Sequence, residues 1–471
     1  MTAPSQKHMS RSSRYPRKPR LGPDNQAQSI GKEIHPEAAG IDVGAREFVV
    51  AVAPERCPSG CVKTFPSFTA DIGRLVAWLQ ECRVRTVAME STGNYWVPLF
   101  QALEAAGIEA CLVNARHVRA VPGRKTDVCD AQWLQQLHTA GLLQKSFRPP
   151  AEVASPRYVM RHRSDLVLTA ARLLQEQQKV LNEMNLKLHH VFSDLDGASA
   201  MAIVEAIPAG ERNPSALAKL RHPTCRASEA VVEKALQGNY RPELLFVLGQ
   251  ANRLWRQVRE QVDEADREVA RLVEAIPSES PGPLPPPATR NQRRLQKNAV
   301  DIAVFEEAYR FYKVDLSEVT GVGAGLLTAL MTEIGTAEDL LRAFKTAESF
   351  VSWNGLCPDN RITGGRVLKA KTRAVKGRVA QAFRLAAHGM ARAKGKMGEH
   401  VRRMKGRLGK AEGITATAHK LARVVYGMIK NRQPYDEQKA FRPTASSRAK
   451  RLKRMQEEAA AMGMQLLPAA S

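Results

Sequence analysis

No apolar run in this chain is long enough to span a bilayer, and no apolar core follows its polar, basic N-terminus. A membrane-spanning segment and a secretory leader are both excluded on that reading, and the chain reads as soluble and intracellular. Cysteine is scarce: of seven residues only Cys57 and Cys61 stand close together, as CPSGC. A zinc site would need a second ligand pair at finger-like spacing, so reduced, mostly buried thiols are the simpler reading. Acidic residues are the third shortage, 47 against 71 Lys and Arg, which leaves a formal charge of +24. No acid precedes Asp24, and residues 361–410 hold sixteen Lys or Arg with Glu399 as their one acid. A segment so one-sided repels itself unless an anion relieves it, so a polyanionic partner is expected.

At 471 residues the chain is long enough for about three domains. Residues 1–36, rich in Lys, Arg, Ser and Pro, read as a disordered basic arm. Residues 37–150 hold strand-like runs at GIDVG, REFVVAV and CVKTFPSF, expected to be antiparallel, then helix DIGRLVAWLQECR, strand TVAME, helix VPLFQALEAAG and strand EACLV. That order fits an α/β sheet of the ribonuclease-H type. In 151–275, Leu166, Leu173 and Val180 fall seven apart, and Ala251, Leu254, Val258, Val262, Ala265, Val269 and Leu272 recur by threes and fours. Long amphipathic helices follow, either a coiled coil between chains or a hairpin within one. A Pro-rich linker, 276–290, leads to a mostly helical unit at 291–436 and a basic tail at 437–471, expected to be flexible. The GVG at 321–323 before an apolar helix fits a helix-hairpin-helix or an ordinary helix cap.

Four acids carry the chemistry. Asp42 and Glu90 end apolar strands, and Asp127 and Asp130 lie three apart where KTDVCDAQWL turns helical, so the latter two share a helix face. Four carboxylates converging from three elements would raise one another's pKa without a cation, and a hard divalent ion relieves that crowding. Two magnesium ions bridged by a phosphate would suit them. The same residues also serve as turn and helix-start acids, and spacing alone leaves both readings open. Tyr95 and Trp96 fit base stacking or packing, and His419 fits a half-buried helix position better than a catalytic base.

GIDVG, AMESTGNYW and KTDVCDAQWL, together with GVGAGLLTALMTEIG and WNGLCPDNRITGGRVL, resemble the DEDD transposases of bacterial insertion sequences. The resemblance implies a RuvC-like, RNase H-fold N-terminal domain, a helical coiled-coil middle and a mostly helical C-terminal transposase domain. It implies Asp42, Glu90, Asp127 and Asp130 as magnesium ligands, and a hydroxyl nucleophile at Thr363, where the family usually has serine in a Ser-Gly step. The nearest serines, Ser349 and Ser352, precede that position and read as helix members. Arg361, Arg366 and Lys371 are candidates to stabilise a charged phosphoryl transition state, and with Lys369, Arg373, Lys376 and Arg378 to bind nucleic acid. The implied partners are donor and target DNA, a structured guide RNA and further copies of the chain as dimer or tetramer, in a bacterial cytoplasm near the nucleoid. Recombination through a protein–DNA ester is the reading. A metal-dependent junction endonuclease that uses water is the alternative.

Overall fold

The structure, a computed structural model, describes residues 33–57, 60–91, 93–114, 127–289, 292–369, 371–442 and 445–465. The side chains of 127–129, 361, 367, 369, 445–448, 450 and 451 lie outside that description. So does most of the N-terminal arm. Contacts divide the chain into two compact units, 1–148 and 149–471.

The first unit is built on a five-stranded sheet in the order β3-β2-β1-β4-β5, with β1 Ala38–Val43, β2 Glu47–Val52, β3 Val62–Pro66, β4 Thr86–Glu90 and β5 Glu109–Val113. β1, β2 and β3 form an antiparallel meander, as expected, and β4 and β5 run parallel to β1. Strand alternation sorts the residues onto two faces. Ala39, Ile41, Val43, Val50, Val87, Met89 and Leu112 bury themselves with helices α1 (Thr69–Glu81) and α2 (Trp96–Ala105). Val49, Ala51, Cys111 and Val113 face α3 (Asp127–Thr139) through Ala131 and Leu134. Helices on both faces explain why β1 and β4 read as continuous apolar runs rather than alternating ones. The mixed sheet and its order agree with an RNase H-like domain.

The second unit is mostly helical. Two helices of 33 residues each, α4 (Ala151–Glu183) and α9 (Pro242–Glu274), lie side by side. Arg163 bonds Asp266 and Gln177 bonds the Ala251 carbonyl, so sequence numbers rise on one helix as they fall on the other, the mark of an antiparallel hairpin. Most of the periodic stripe is covered within one chain, with Ala251, Val262, Ala265 and Val269 buried and Leu254 left exposed. Between them α5 (Leu188–Val191), α6 (Ala198–Ala209), α7 (Pro214–Ala218) and α8 (Glu229–Ala235) cap the hairpin end around Leu186, Ile203, Ile207, Leu217 and Leu248. Residues 276–278 are tied down where Arg310 donates to the carbonyls of Val273, Ile276 and Ser278.

α10 (Val304–Tyr312), α11 (Ala324–Glu333), α12 (Ala337–Ala343), α13 (Ala347–Trp353), α14 (Arg378–Gly389), α15 (Gly395–Leu408) and α16 (Lys410–Asn431) follow, with a two-stranded ribbon β6 (Arg361–Thr363) and β7 (Arg366–Lys369) between α13 and α14. Phe344, Phe350, Phe383 and Tyr426 interlock edge to face or stacked, and the Tyr426 hydroxyl donates to the Phe344 carbonyl. After the short α17 (Glu437–Ala440), the basic tail departs from expectation. It forms helix α18 (Ala445–Ala461), because Lys453–Glu457 and Arg454–Glu458 pair one turn apart and Leu452, Met455 and Ala459 fall on one stripe. Among the described residues no helix is long and apolar enough to cross a membrane.

Candidate active site

Asp42 is one residue past Ile41, which pairs with Met89, and Glu90 is one residue past Met89. Adjacent parallel strands lie about 4.8 Å apart and paired residues share a face. Both carboxylates therefore project from neighbouring strand ends on the α3 side of the sheet, and both are half-buried.

The placement of α3 follows from two contacts. A Cβ added to Gly40 would meet the Ala131 carbonyl oxygen and the Gln135 nitrogen at 2.3 Å, so glycine lets the helix backbone touch the strand. Two residues down the sheet, Thr86, level with Ala38, bonds its hydroxyl to His138 Nε2 at 2.8 Å. Two strand residues span about 6.6 Å, and four to five helix residues at about 1.5 Å each span the same length. The helix thus runs opposite to β1, and the same step upward brings its first turn, Asp127 to Asp130, level with Asp42 and Glu90. Burial pushes the His138 imidazole down to about 4, with nearby His35 adding to the effect.

The described members of the quartet, Asp42, Glu90 and Asp130, do not form a closed cage. Among the described residues no three His, Cys, Asp or Glu side chains stand close enough to share an ion. Asp130 is exposed, and the Asp127 side chain lies outside the described residues. The donor set nonetheless fits a hard divalent cation, since every candidate ligand is a carboxylate and two of them already share one end of the sheet.

Thr363 sits at the tip of the ribbon, exposed, directly across from Arg366. Gly364 and Gly365 complete the turn with φ of 55° and 76°, both left-handed, which is what a two-residue type I′ hairpin needs and why two glycines follow the threonine. Lys371, Arg373 and Lys376 are exposed on the segment between β7 and α14, with Arg373 donating to the Ser352 carbonyl. The side chains of Arg361 and Lys369 lie outside the described residues. Ser349 is an exposed helix-capping residue bonded to Thr346, and Ser352 is exposed on the same short helix.

Arg378, a nucleic-acid-binding candidate, is half-buried. It bonds the Ser164 hydroxyl at 2.6 Å and lies 3.9 Å from Glu333, which also holds Arg157 and a bidentate Arg161. This cluster was missed in the sequence, although Glu333 is the sole acid in the apolar run GLLTALMTEIG. Trp96 packs against the sheet core with its indole bonded to the Gly93 carbonyl and Arg148 over its ring, while Tyr95 stays exposed. His419 is half-buried and burial lowers its pKa.

Two family models match the chain. A DEDD transposase model of the IS110 type covers residues 39–186, from β1 through α3 and the long helix α4. The transposase model of the IS116/IS110/IS902 family covers 315–402, from just before α11 through the ribbon into α15. This chain belongs to the IS110 family of DEDD transposases. No curated protein matches it. It is accordingly a DNA recombinase with DNA as a partner, and a DEDD site implies dependence on a divalent cation.

Proposed function

We propose that this transposase cuts and rejoins DNA through a protein–DNA ester on Thr363, with Asp42, Glu90, Asp127 and Asp130 holding magnesium, guided by a structured RNA. The observation that carries this is the shared level of Asp42, Glu90 and the first turn of α3 at one end of an RNase H-like sheet. Two bound magnesium ions would polarise the scissile phosphate and neutralise charge on it. The protein's own part is to present the nucleophile. The Thr363 Oγ1 attacks phosphorus, loses its proton and forms a P–O bond, while the strand-end oxygen departs and takes up a proton. Attack by a second strand-end hydroxyl reverses the step, restores a diester and frees the threonine, so no outside energy source is needed. Arg366, directly across from Thr363, is placed to stabilise the charge that develops on the phosphate oxygens. The exposed ribbon tip suits a site completed by a second protomer, in a dimer or tetramer.

The test is a denaturing gel of protein with end-labelled DNA and the RNA that copurifies with it. A magnesium-dependent shifted band is expected, lost in Thr363→Ala and kept in Thr363→Ser. The threonine methyl restricts χ1 and crowds an in-line approach, so Thr363→Ser is expected to react faster. Free cut ends without a shifted band would replace this reading with hydrolysis by a junction endonuclease.

A further inference from the structure

Cys57, Cys61 and Cys82 meet one core in the first unit, where Cys82 is buried and the other two are half-buried. Cys82 closes α1 with its N–H bonded to the Trp78 carbonyl, and its thiol shares a hydrogen bond with the Cys57 thiol. The chain segments beside the two cysteines are tied together as well. Arg56 Nη1 donates to the Arg83 carbonyl at 2.9 Å, and Glu37 pairs with both Arg56 and Arg85. A disulfide needs two sulfur atoms within reach and a backbone that keeps them there; the thiol contact supplies the first and the Arg56 bridge the second. Among the described residues no third His, Cys, Asp or Glu stands close enough for the pair to hold a metal ion. Burial pushes the Cys82 thiol up to about 11, so it stays protonated, and half-buried Cys57 is the sulfur that meets an oxidant.

We infer that Cys57 and Cys82 form a reversible thiol–disulfide site, closed by a low-molecular-weight disulfide and reopened by a small thiol. The Cys57 sulfur gives up its proton, attacks one sulfur of the small disulfide and expels the other as a thiolate. The Cys82 sulfur then attacks Cys57, loses its own proton and expels the second small thiol. The pair has lost two electrons and two protons, and the small disulfide has become two thiols. The spacing CPSGC points to Cys61 as the partner of Cys57, whereas the thiol contact points to Cys82. Both segments leave the sheet at the end away from Asp42 and Glu90, since β2 ends at Val52, level with Ala39, and β4 begins at Thr86, level with Ala38. The bond encloses β3 and α1 and restricts the unfolded chain, so it stabilises the first unit without touching the carboxylates. In a reducing compartment the pair rests as thiols and closes only when oxidant accumulates. No residue of the proposed reaction takes part.

The test incubates the full chain in a glutathione redox buffer, blocks the remaining thiols with N-ethylmaleimide and maps linked peptides by mass spectrometry. A Cys57–Cys82 crosslink is expected, reversed by dithiothreitol, kept in Cys61→Ser and lost in both Cys57→Ser and Cys82→Ser. Oxidation should raise the first unit's melting transition by several degrees in the wild type and in Cys61→Ser, and leave that of Cys57→Ser where it was. A Cys57–Cys61 link, a glutathione adduct on Cys57 that never closes, or a crosslink that forms only in denaturant would overturn the inference. None of these readouts involves DNA cleavage, so failure here is separate from failure of the Thr363 chemistry.

Discussion

At the scale of single residues, His138 is a sensitive reporter of the first unit. Its Nε2 bonds Thr86, burial holds its pKa at about 4 against an ordinary 6.5, and Glu109 only partly offsets this. Between those values the unfolded chain binds the proton that the native imidazole refuses. Stability is therefore full above pH 6.5 and lost as the pH falls toward 4, by about 3 kcal/mol. Melting temperatures of the wild type across that window should fall, and His138→Gln, whose amide can still bond Thr86, should flatten the curve. A wild-type slope retained in the variant would place the titration elsewhere. None of this was visible in the sequence, where His138 is one polar residue in a helix. Asp42 and Glu90, in contrast, were legible because a charge ending an apolar strand is conspicuous. What no residue-level pattern supplied was that their strands are neighbours, a pairing across 48 positions set by the sheet.

Among elements, the contact of α3 with β1 governs the geometry of the candidate site. Gly40 leaves the strand bare where the helix backbone rests, so Gly40→Ala must push α3 off the sheet or shift the strand. Overpacking of this kind costs about 1–3 kcal/mol, readable as a lower urea midpoint. Activity should fall much further, on the order of a hundredfold, because displacement of a catalytic group by about 1 Å has that effect. A variant destabilised as expected but fully active would show that the first turn of α3 does not serve the site. Helix α3 itself was legible from DAQWLQQLH, and so were the strands, β1 and β4 most plainly because their apolar runs end at a glycine and a charge. The short helices α5 to α8 were not, since segments of four to twelve residues hold too few turns for periodicity to emerge. The pairing of α4 with α9 was open for a different reason. Heptads fit a neighbouring helix equally well whether it belongs to the same chain or another, and the buried Arg163–Asp266 pair, which also engages the carbonyls of Asn298 and Ala299, decides it.

On the scale of the whole molecule, two compact units predict two unfolding transitions in calorimetry rather than one. Their assignment follows from variants already tied to each: Gly40→Ala lowers the first unit's transition, and Asp266→Ala lowers the second's, because it strands Arg163 in a buried place at a cost of about 3–5 kcal/mol. Magnesium then becomes a probe that needs no substrate. A cation bound by the native carboxylates at about a hundred times its Kd adds roughly 2.7 kcal/mol, several degrees for a unit this small. Only the first unit's transition should move, and Asp42→Asn should abolish the shift while leaving the second transition where it was. Equal movement of both transitions would mean that magnesium acts on general charge, and no movement would remove the proposed metal site. High salt offers the complementary control, since at +24 the chain's self-repulsion is screened throughout and both units should respond to it together.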